Sequence, residues 1–430
     1  MKKDKFIIQG LGNNNFLSGK IRVNGAKNAV LPVMASSVLF KDGFGVKNVP
    51  FIEDLNRLDE ILKGLGIEMK KEKEGEYFIN TKGINGVEID EEASKRMRAS
   101  VIFTGPILAR FGELVFPHPG GCVIGARPID LFLDGFEKMG AKIEHSDGKY
   151  SIKAKDGRLK GANIFFKIPS VTATETFIMA GILAEGKTTL KNVAIEPEII
   201  SLIEWLNSCG AKIKGVGTPV LEIEGGVLLE AGDKIYETIA DRLETGSFLI
   251  LGALCASDLE IYNCNPAHLE IITEMLKDSG VDMQVGKDFI KVNNKNLKNY
   301  KAFNIKTHEY PGFPTDLQSP MTVFLTQAQG ESLIFETIFE GRLNYTSDLV
   351  KMGADIKMWD AHRVTVKGPN QLKGRELEGP DIRTGFAFVI ASLVAEKESV
   401  ITNVYYIDRG YGSIEKRLSG IGADIKRVEN

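Results

Sequence analysis

A cysteine and an arginine lie five residues apart in a glycine-rich segment, residues 119–128, PGGCVIGARP. Its three glycines make a poor helix or strand interior, which predicts a mobile loop. Such a loop could bring a thiol to a ligand, and the positive charge of Arg127 could favour the thiolate of Cys122 or hold an anionic substrate. The alternative interpretation of Cys122 is a small apolar side chain beneath a surface turn.

Positive side chains also occur where buried helices are predicted to begin. Lys27, Arg98 and Arg383 each precede or open a strongly apolar segment. A cation at a helix N-terminus is unfavourable against the helix dipole, whereas an anion is attracted by the unpaired N–H groups. These three charges therefore predict an anionic ligand near the helix starts.

Two helices that recur six times, at an interval of about 70 residues, must position these side chains. The first is amphipathic, ends at a glycine expected in the left-handed conformation, and leads into a strand. Its six copies end at residues 62–69, 138–143, 208–213, 278–283, 351–356 and 420–425. The regular interval indicates an internal repeat.

The second recurring helix opens with polar or charged residues and then becomes apolar on all sides, which is typical of a buried helix. Its copies begin near residues 25, 97, 170, 241, 314 and 381. Six units exceed the size of one core, so we expect two α/β domains of three units each, with buried helices and outer sheets. If the helices of each domain run alike, their starts should meet in a cleft between the domains.

Composition is that of a soluble globular protein, with 43% apolar and 26% charged residues and a net charge of −3. Near charge balance argues against nucleic-acid binding, and no run of about 18 apolar residues predicts a membrane span. Four cysteines are too few for a disulfide framework, the first residues do not resemble a signal peptide, and a cytoplasmic location is expected. The five histidines lack metal-ligand spacing, so no metal is expected. No cofactor is expected either.

Six motifs in order resemble the UDP-N-acetylglucosamine 1-carboxyvinyltransferase family over essentially the whole chain. They are NGAKNA at 24–29, RAS at 98–100, GCVIGARP at 121–128, GFPTD at 312–316, ETIFE at 336–340 and DRGY at 408–411. The related 3-phosphoshikimate 1-carboxyvinyltransferases share the fold and the phosphoenolpyruvate donor but lack the cysteine loop.

The resemblance implies two inside-out (inverse) α/β barrel domains, one over residues 22–238 and the other over residues 1–21 plus 239–430. It also implies transfer of the enolpyruvyl group of phosphoenolpyruvate to the 3′-hydroxyl of UDP-N-acetylglucosamine, with release of phosphate. This is the first committed step of peptidoglycan precursor synthesis. Nothing in the sequence indicates an oligomeric state.

The resemblance further assigns roles by motif. Cys122 matches the general acid and Asp316 the presumed base at the sugar hydroxyl. The residues matched to phosphoenolpyruvate are Lys27, Asn28, Arg127 and Arg409. Lys27 and Arg409 also count as catalytic. The alternative interpretations are a solvated surface charge for each cation and a helix cap for Asp316.

For the nucleotide sugar, the residues matched by motif supply hydrogen bonds and apolar walls. They are Arg98, Arg127, Pro128, Ile129, Asp130, Leu131, Ser170, Val171, Asp316 and Ile338. Asp241 and Glu244 match polar positions that line the site of the donor and the intermediate. Asp381 and Arg383 are expected to pair with one another or with groups of the cleft, rather than to take part directly in the chemistry.

Three positions depart from the family pattern, all in or beside acceptor segments. Phe132 stands where histidine is usual, Thr172 replaces a glycine, and Leu343-Asn344-Tyr345 replaces Phe-Met-His. A side chain at Thr172 could crowd the nucleotide. Two alternatives therefore stay open: a paralogous transferase acting on another nucleotide sugar, and a non-catalytic nucleotide-sugar binding protein.

Overall fold

The computed structural model describes residues 4–12, 16–118, 129–293 and 299–429. Three residues matched by motif, Cys122, Arg127 and Pro128, lie outside this part of the chain. None of the helices in the described ranges is long and apolar enough to cross a membrane.

Strands and helices are interspersed along the chain. The strands are β1 (Lys5–Gln9), β2 (Leu17–Arg22), β3 (Phe44–Lys47), β4 (Glu68–Lys73), β5 (Glu76–Asn80), β6 (Glu113–Pro117), β7 (Ala141–Ser146), β8 (Lys149–Ala154), β9 (Asn163–Phe165), β10 (Lys187–Lys191), β11 (Lys212–Lys214), β12 (Val220–Glu224), β13 (Ile235–Glu237), β14 (Ala256–Tyr262), β15 (Met283–Val285), β16 (Phe289–Val292), β17 (Ile305–Lys306), β18 (Gly330–Phe335), β19 (Asp355–Asp360), β20 (Arg363–Gly368), β21 (Glu376–Glu378), β22 (Glu398–Thr402) and β23 (Ile425–Val428).

The α-helices are α1 (Lys27–Ala35), α2 (Glu53–Gly64), α3 (Glu91–Arg96), α4 (Thr104–Phe111), α5 (Asp130–Lys138), α6 (Val171–Ile182), α7 (Pro197–Ser208), α8 (Arg242–Cys255), α9 (Glu270–Ser279), α10 (Gln318–Leu325), α11 (Thr346–Met352), α12 (Ile382–Val394), α13 (Tyr405–Asp408) and α14 (Ile414–Ser419). Short 3₁₀ helices cover Ser36–Leu39, Arg98–Phe103, Pro266–Leu269 and Thr315–Leu317.

The strands of the described residues form six small sheets. Their orders are β13-β3-β5-β4, β6-β8-β7, β11-β12-β10-β9, β15-β16-β14-β2, β17-β18-β20-β19 and β21-β22-β1-β23. In the third sheet, Leu190 of β10 is opposite Leu221 of the antiparallel β12 and Ile164 of the parallel β9. All three are buried, so one face of the sheet covers the helices inside.

The buried apolar residues form two clusters. One runs from Val30 to Tyr236 and surrounds α1, α4 and α6, and the other joins Phe6–Val23 to Leu243–Ile425 around α8, α10 and α12. We call them the first and second cores. Strand β1 lies between β22 and β23, which places the start of the chain in the second core. The predicted domain limits stay a prediction, which these two cores support.

Buried helices explain the all-round apolar sequence. Every residue of α6 from Ala173 to Ile182 is buried, and α6 packs on α4. The two helices approach so closely that a Cβ on Gly105 would lie 2.1 Å from the carbonyl oxygen of Thr176, which leaves room only for glycine there.

The repeated glycines adopt the conformation expected of them. Gly280 and Gly353 end α9 and α11 with φ of 106° and 109°, in the left-handed region that glycine favours. The remaining copies, all with positive φ, are Gly66, Gly140, Gly210 and Gly422. The predicted repeat is confirmed at these positions.

The described chain passes between the two cores twice, and the two connections bond to each other. The Ala26 amide donates to the Ile239 carbonyl at 2.7 Å, and the Asp241 amide donates to the Asn24 carbonyl at 2.9 Å. Gly25 and Ala240 form an antiparallel bridge between these bonds. The starts of α1 and α8 therefore lie side by side.

Candidate active site

A cavity of about 1800 Å³ lies where the starts of the buried helices meet. Residues from both cores line it. The lining includes one residue from each of the six helix starts: Lys27, Arg98, Ser170, Arg242, Asp316 and Arg383. The predicted convergence of these starts on one cleft is confirmed.

Asp54 joins cations from the two cores. It lies in the first turn of α2, is 1% exposed, and contacts the Lys27 Nζ at 2.5 Å. The Nε of Arg409, which follows α13, donates to the other Asp54 oxygen at 2.6 Å. Lys27, Asn28 and Arg409 therefore line the same cavity, as the resemblance implies.

Burial and charge act together on this group. Burial alone would raise the pKa of Asp54, but Lys27 and Arg409 bring it below its ordinary value. Burial also lowers the pKa of the Lys27 ammonium, opposed by Asp54 and assisted by Arg409 and Arg383. Lys27 and Arg409 share the single carboxylate of Asp54, and Arg383 adds a third positive charge nearby. This excess of positive charge favours the binding of an anion.

Asp316 is held between two buried arginines. Its Oδ1 accepts from Arg342 at 2.7 Å and its Oδ2 from the Arg383 Nε at 2.9 Å. Arg383 also donates to the Tyr411 hydroxyl at 3.2 Å. The 3₁₀ turn and α10 begin without a side-chain cap, so the helix-cap interpretation of Asp316 is wrong.

The four residues expected around the site divide into two groups. Arg383 and Asp381 line the cavity, and Asp381 caps α12 by accepting from the Arg383 and Thr384 amides. Asp241 caps α8, and Glu244 binds Arg417 at 2.6 Å. Neither Asp241 nor Glu244 is among the residues that line the cavity.

Residues matched to the nucleotide sugar form another part of the cavity wall. They are Arg98, Ile129, Asp130, Leu131, Ser170, Val171, Asp316 and Ile338. The Ser170 hydroxyl caps α6 by accepting from the Ala173 amide at 3.3 Å. Buried Glu336 holds Ile338 in this wall, because its carboxylate accepts from the Ile338 amide at 2.9 Å.

Two of the three departures from the family pattern face this wall. Phe132 and Thr172 line the cavity, and the Phe132 ring stacks near Phe177 with centroids 6.4 Å apart. Tyr345 belongs to the second core instead, where its hydroxyl accepts from the Gln318 amide at 2.9 Å. Leu343, Asn344 and Tyr345 are all absent from the cavity lining, so Phe132 and Thr172 are the departures that face the cavity.

Several residues that the sequence analysis missed also line the cavity: Asp54, Glu175, Glu196, Arg242 and Arg342. Arg242 pairs with Glu198 at 3.1 Å, and its guanidinium lies 5.4 Å from the centroid of the Tyr310 ring. A carboxylate early in α2 resembles an ordinary helix-start acid, so no sequence signal singled out Asp54.

Two of these residues are acids in an unfavourable environment. Burial raises the pKa of Glu175 well above its ordinary value, and Glu198 and Glu196 add to the shift. Burial also raises the pKa of Glu196, although Arg242 opposes the change. Both carboxyl groups therefore hold a proton more tightly in the folded protein than in the unfolded chain.

Glu175→Gln is expected to stabilise the protein at neutral pH. The pKa of Glu175 is higher in the folded protein than in the unfolded chain, where it is about 4.5. Its contribution to the stability of the folded state is therefore complete below about pH 4.5 and is lost as pH rises through the folded-state pKa. The variant's gain in Tm should therefore grow as pH rises above about 4.5. The exposed Glu185→Gln is the control. A gain independent of pH would contradict the expectation.

Comparisons with known proteins agree over the whole chain. A family model described as EPSP synthase (3-phosphoshikimate 1-carboxyvinyltransferase) matches residues 12–418. A UDP-N-acetylglucosamine 1-carboxyvinyltransferase of Shewanella piezotolerans is 41% identical over 427 residues, 99% of this chain and 100% of that protein. The protein of the same name from Koribacter versatilis is also 41% identical, over 99% of this chain and 96% of its own length.

Solved structures share the fold. The enolpyruvyl transferase NikO from Streptomyces tendae has a TM-score of 0.89 at 21% identity, with both chains fully covered. EPSP synthase from Acinetobacter baumannii has a TM-score of 0.75 at 17% identity, covering 99% of this chain and 100% of its own. The expected inverse α/β barrel fold is thereby confirmed. The chain belongs to the EPSP synthase family, within its group of UDP-N-acetylglucosamine 1-carboxyvinyltransferases.

Proposed function

We propose that the protein transfers the enolpyruvyl group of phosphoenolpyruvate to the 3′-hydroxyl of UDP-N-acetylglucosamine and releases phosphate. The observation that carries the proposal is that one cavity is lined by Lys27 at the start of α1, Asp316 in the 3₁₀ turn before α10, and Arg409 just after α13. Curated relatives 41% identical over 99% of the chain have this activity in their name. Peptidoglycan precursor synthesis and a cytoplasmic location follow as parts of the proposal.

The donor requires positive charge from several directions, because it carries a carboxylate and a phosphate. Lys27 of α1 and Arg409 after α13 approach Asp54 from the two cores, which gives two cations at fixed spacing. Arg127, outside the described residues, and Asn28 would complete this site. Asp54 would keep the two cations in position until the donor arrives.

The chemistry is addition followed by elimination. The acceptor hydroxyl oxygen bonds to C2 of the donor while its proton passes to Asp316, and C3 receives a proton from Cys122. The C2–O bond to phosphate then breaks and C3 returns a proton, which restores the double bond. Each Asp316 oxygen accepts one arginine bond, which holds the carboxylate in position in the cavity wall.

Phosphate release from phosphoenolpyruvate, measured with a panel of acceptors, tests the proposal. We expect turnover with UDP-N-acetylglucosamine and none with shikimate 3-phosphate. The reverse result would overturn the proposal. Binding of the nucleotide sugar without phosphate release would identify a non-catalytic binding protein.

A second candidate is a transferase specific for another nucleotide sugar. Phe132 and Thr172 favour it, because both depart from the family pattern and line the cavity. The panel should therefore include UDP-sugars that differ at the acceptor ring. Faster turnover with one of these than with UDP-N-acetylglucosamine would favour the second candidate.

Cys122 is expected to be the thiol alkylated by the epoxide fosfomycin, as the family resemblance implies. The described cysteines are buried, and burial raises the pKa of Cys255 and Cys264 to about 12. Their thiolates are therefore suppressed. Intact mass should rise by one adduct, and Cys122→Ala should abolish labelling while Cys209→Ala should not. Modification at Cys209 would show that the reactive thiol is misassigned.

A further inference from the structure

Glu175 is a buried acid that the reaction described above does not use. It lies one helical turn after Val171 on α6, so the two side chains share a face of the helix. Glu175 is 4% exposed and lines the cavity. Among the residues that the structure describes, no hydrogen bond or ion pair reaches its carboxylate. An unpartnered acid of this kind needs an explanation.

Neighbouring contacts hold a second acid beside it. The Ala194 amide donates to the Thr174 hydroxyl at 3.1 Å, which ties the segment before α7 to α6. Glu196 then precedes α7, is 8% exposed, and lines the same cavity. Its Oε2 is buried and has no hydrogen-bond partner among the described residues. Two carboxyl groups therefore share one part of the wall.

The charge at this wall excludes some ligands. Glu198 is already paired with Arg242, and burial raises the pKa of both Glu175 and Glu196 above their ordinary values. A diphosphate would find no unpaired cation among these four groups, whereas the carboxyl groups can accept a hydrogen bond from a ligand donor. The best match is a neutral group that both donates and accepts hydrogen bonds, which describes a hydroxyl.

We propose that Glu175, with Glu196 beside it, hydrogen-bonds a ring hydroxyl of the nucleotide-sugar acceptor and thereby helps to select it. The inference rests on the proposed function and adds a specificity-determining residue to it. The hydroxyl could belong to the hexosamine or to the ribose, which carry the same chemistry. An acid left without a partner in the free protein would then gain one when the acceptor binds.

Steady-state kinetics of Glu175→Leu test the inference. At saturating phosphoenolpyruvate we expect the KM for UDP-N-acetylglucosamine to rise about 10- to 100-fold, since the hydroxyl loses its partner. The KM for phosphoenolpyruvate should stay the same. Glu175→Gln, which keeps an acceptor oxygen, should show a smaller rise. Glu185→Leu, an exposed acid just beyond the same helix, should leave both constants unchanged.

Acceptor analogues identify the hydroxyl. If the hexosamine supplies it, a 4-deoxy or 6-deoxy sugar analogue should bind the native protein more weakly than UDP-N-acetylglucosamine does. The Glu175→Leu variant should bind that analogue and UDP-N-acetylglucosamine equally well. If the ribose supplies it, the 2′-deoxyuridine analogue should behave this way instead. If each deoxy analogue loses as much binding free energy with Glu175→Leu as with the native protein, the two changes are independent and the inference is overturned.

Failure of this inference is distinguishable from failure of the proposed function. No phosphate release by the native protein with UDP-N-acetylglucosamine contradicts the function. Normal turnover together with an unchanged KM in Glu175→Leu contradicts only the role of Glu175. A raised Tm without any change in KM would assign Glu175 to folding alone.

Discussion

Asp316→Asn is expected to lower kcat by about 10²- to 10⁴-fold, the range for removal of a positioned general base. The amide has nearly the size of the carboxylate but cannot take the proton of the acceptor hydroxyl. It also cannot accept from both Arg342 and Arg383, so one of these buried arginines loses its bond to residue 316. Rapid-quench measurement of phosphate release, with both substrates saturating, gives the change in kcat.

Asp348→Asn is the matched control for this prediction. Asp348 forms a surface pair with Lys351 at 2.7 Å, one helical turn away on α11, and it lies outside the cavity lining. Its kcat should equal that of the native protein. Undiminished phosphate release by Asp316→Asn would remove Asp316 from the proposed chemistry.

Asp54→Ala is expected to lower the free energy of unfolding by about 3–5 kcal/mol, the usual cost of removing one partner from a buried ion pair. Lys27 and Arg409 would then face each other without the carboxylate that both contact. Denaturant unfolding measures the loss. On the same helix, Asp59→Ala removes only an i,i+4 pair with exposed Lys63, and should cost less than about 1 kcal/mol.

Inorganic phosphate should recover part of the stability lost in Asp54→Ala. An anion that binds only the folded state stabilises it by mass action, and the variant has room for one between two cations. The rise in Tm with phosphate should therefore be larger for Asp54→Ala than for the native protein. An equal rise in both would indicate that Asp54 and the donor do not share these cations.

The repeat and the cleft were predictable because their signals are local. Gly280 and Gly353 ended amphipathic helices at a fixed interval, and the left-handed conformation was the physical reason for glycine there. Lys27 and Arg383 stood against helix dipoles, which indicated a facing anion. These features depend on neighbouring residues in the sequence.

The partners of the charged groups were not predictable in this way. Asp54 reaches Arg409 across 355 positions of the chain, and Arg342 reaches Asp316 across 26. Glu175 lay within an apolar helix, where a single acid carries no periodic signal. Its isolation follows from the packing of α6 against the segment before α7, which a pattern along one helix does not contain.

The paired connections between the cores determine how the cavity can open. Two strands bonded to each other, at Ala26–Ile239 and Asn24–Asp241, bend readily about one axis but resist twisting and sliding. The two cores should therefore rotate relative to each other about a hinge at these paired connections. Lys27 and Arg242 directly follow the two connections, so the distance between them should change least when the cavity opens. Groups distant from the connections should move apart most.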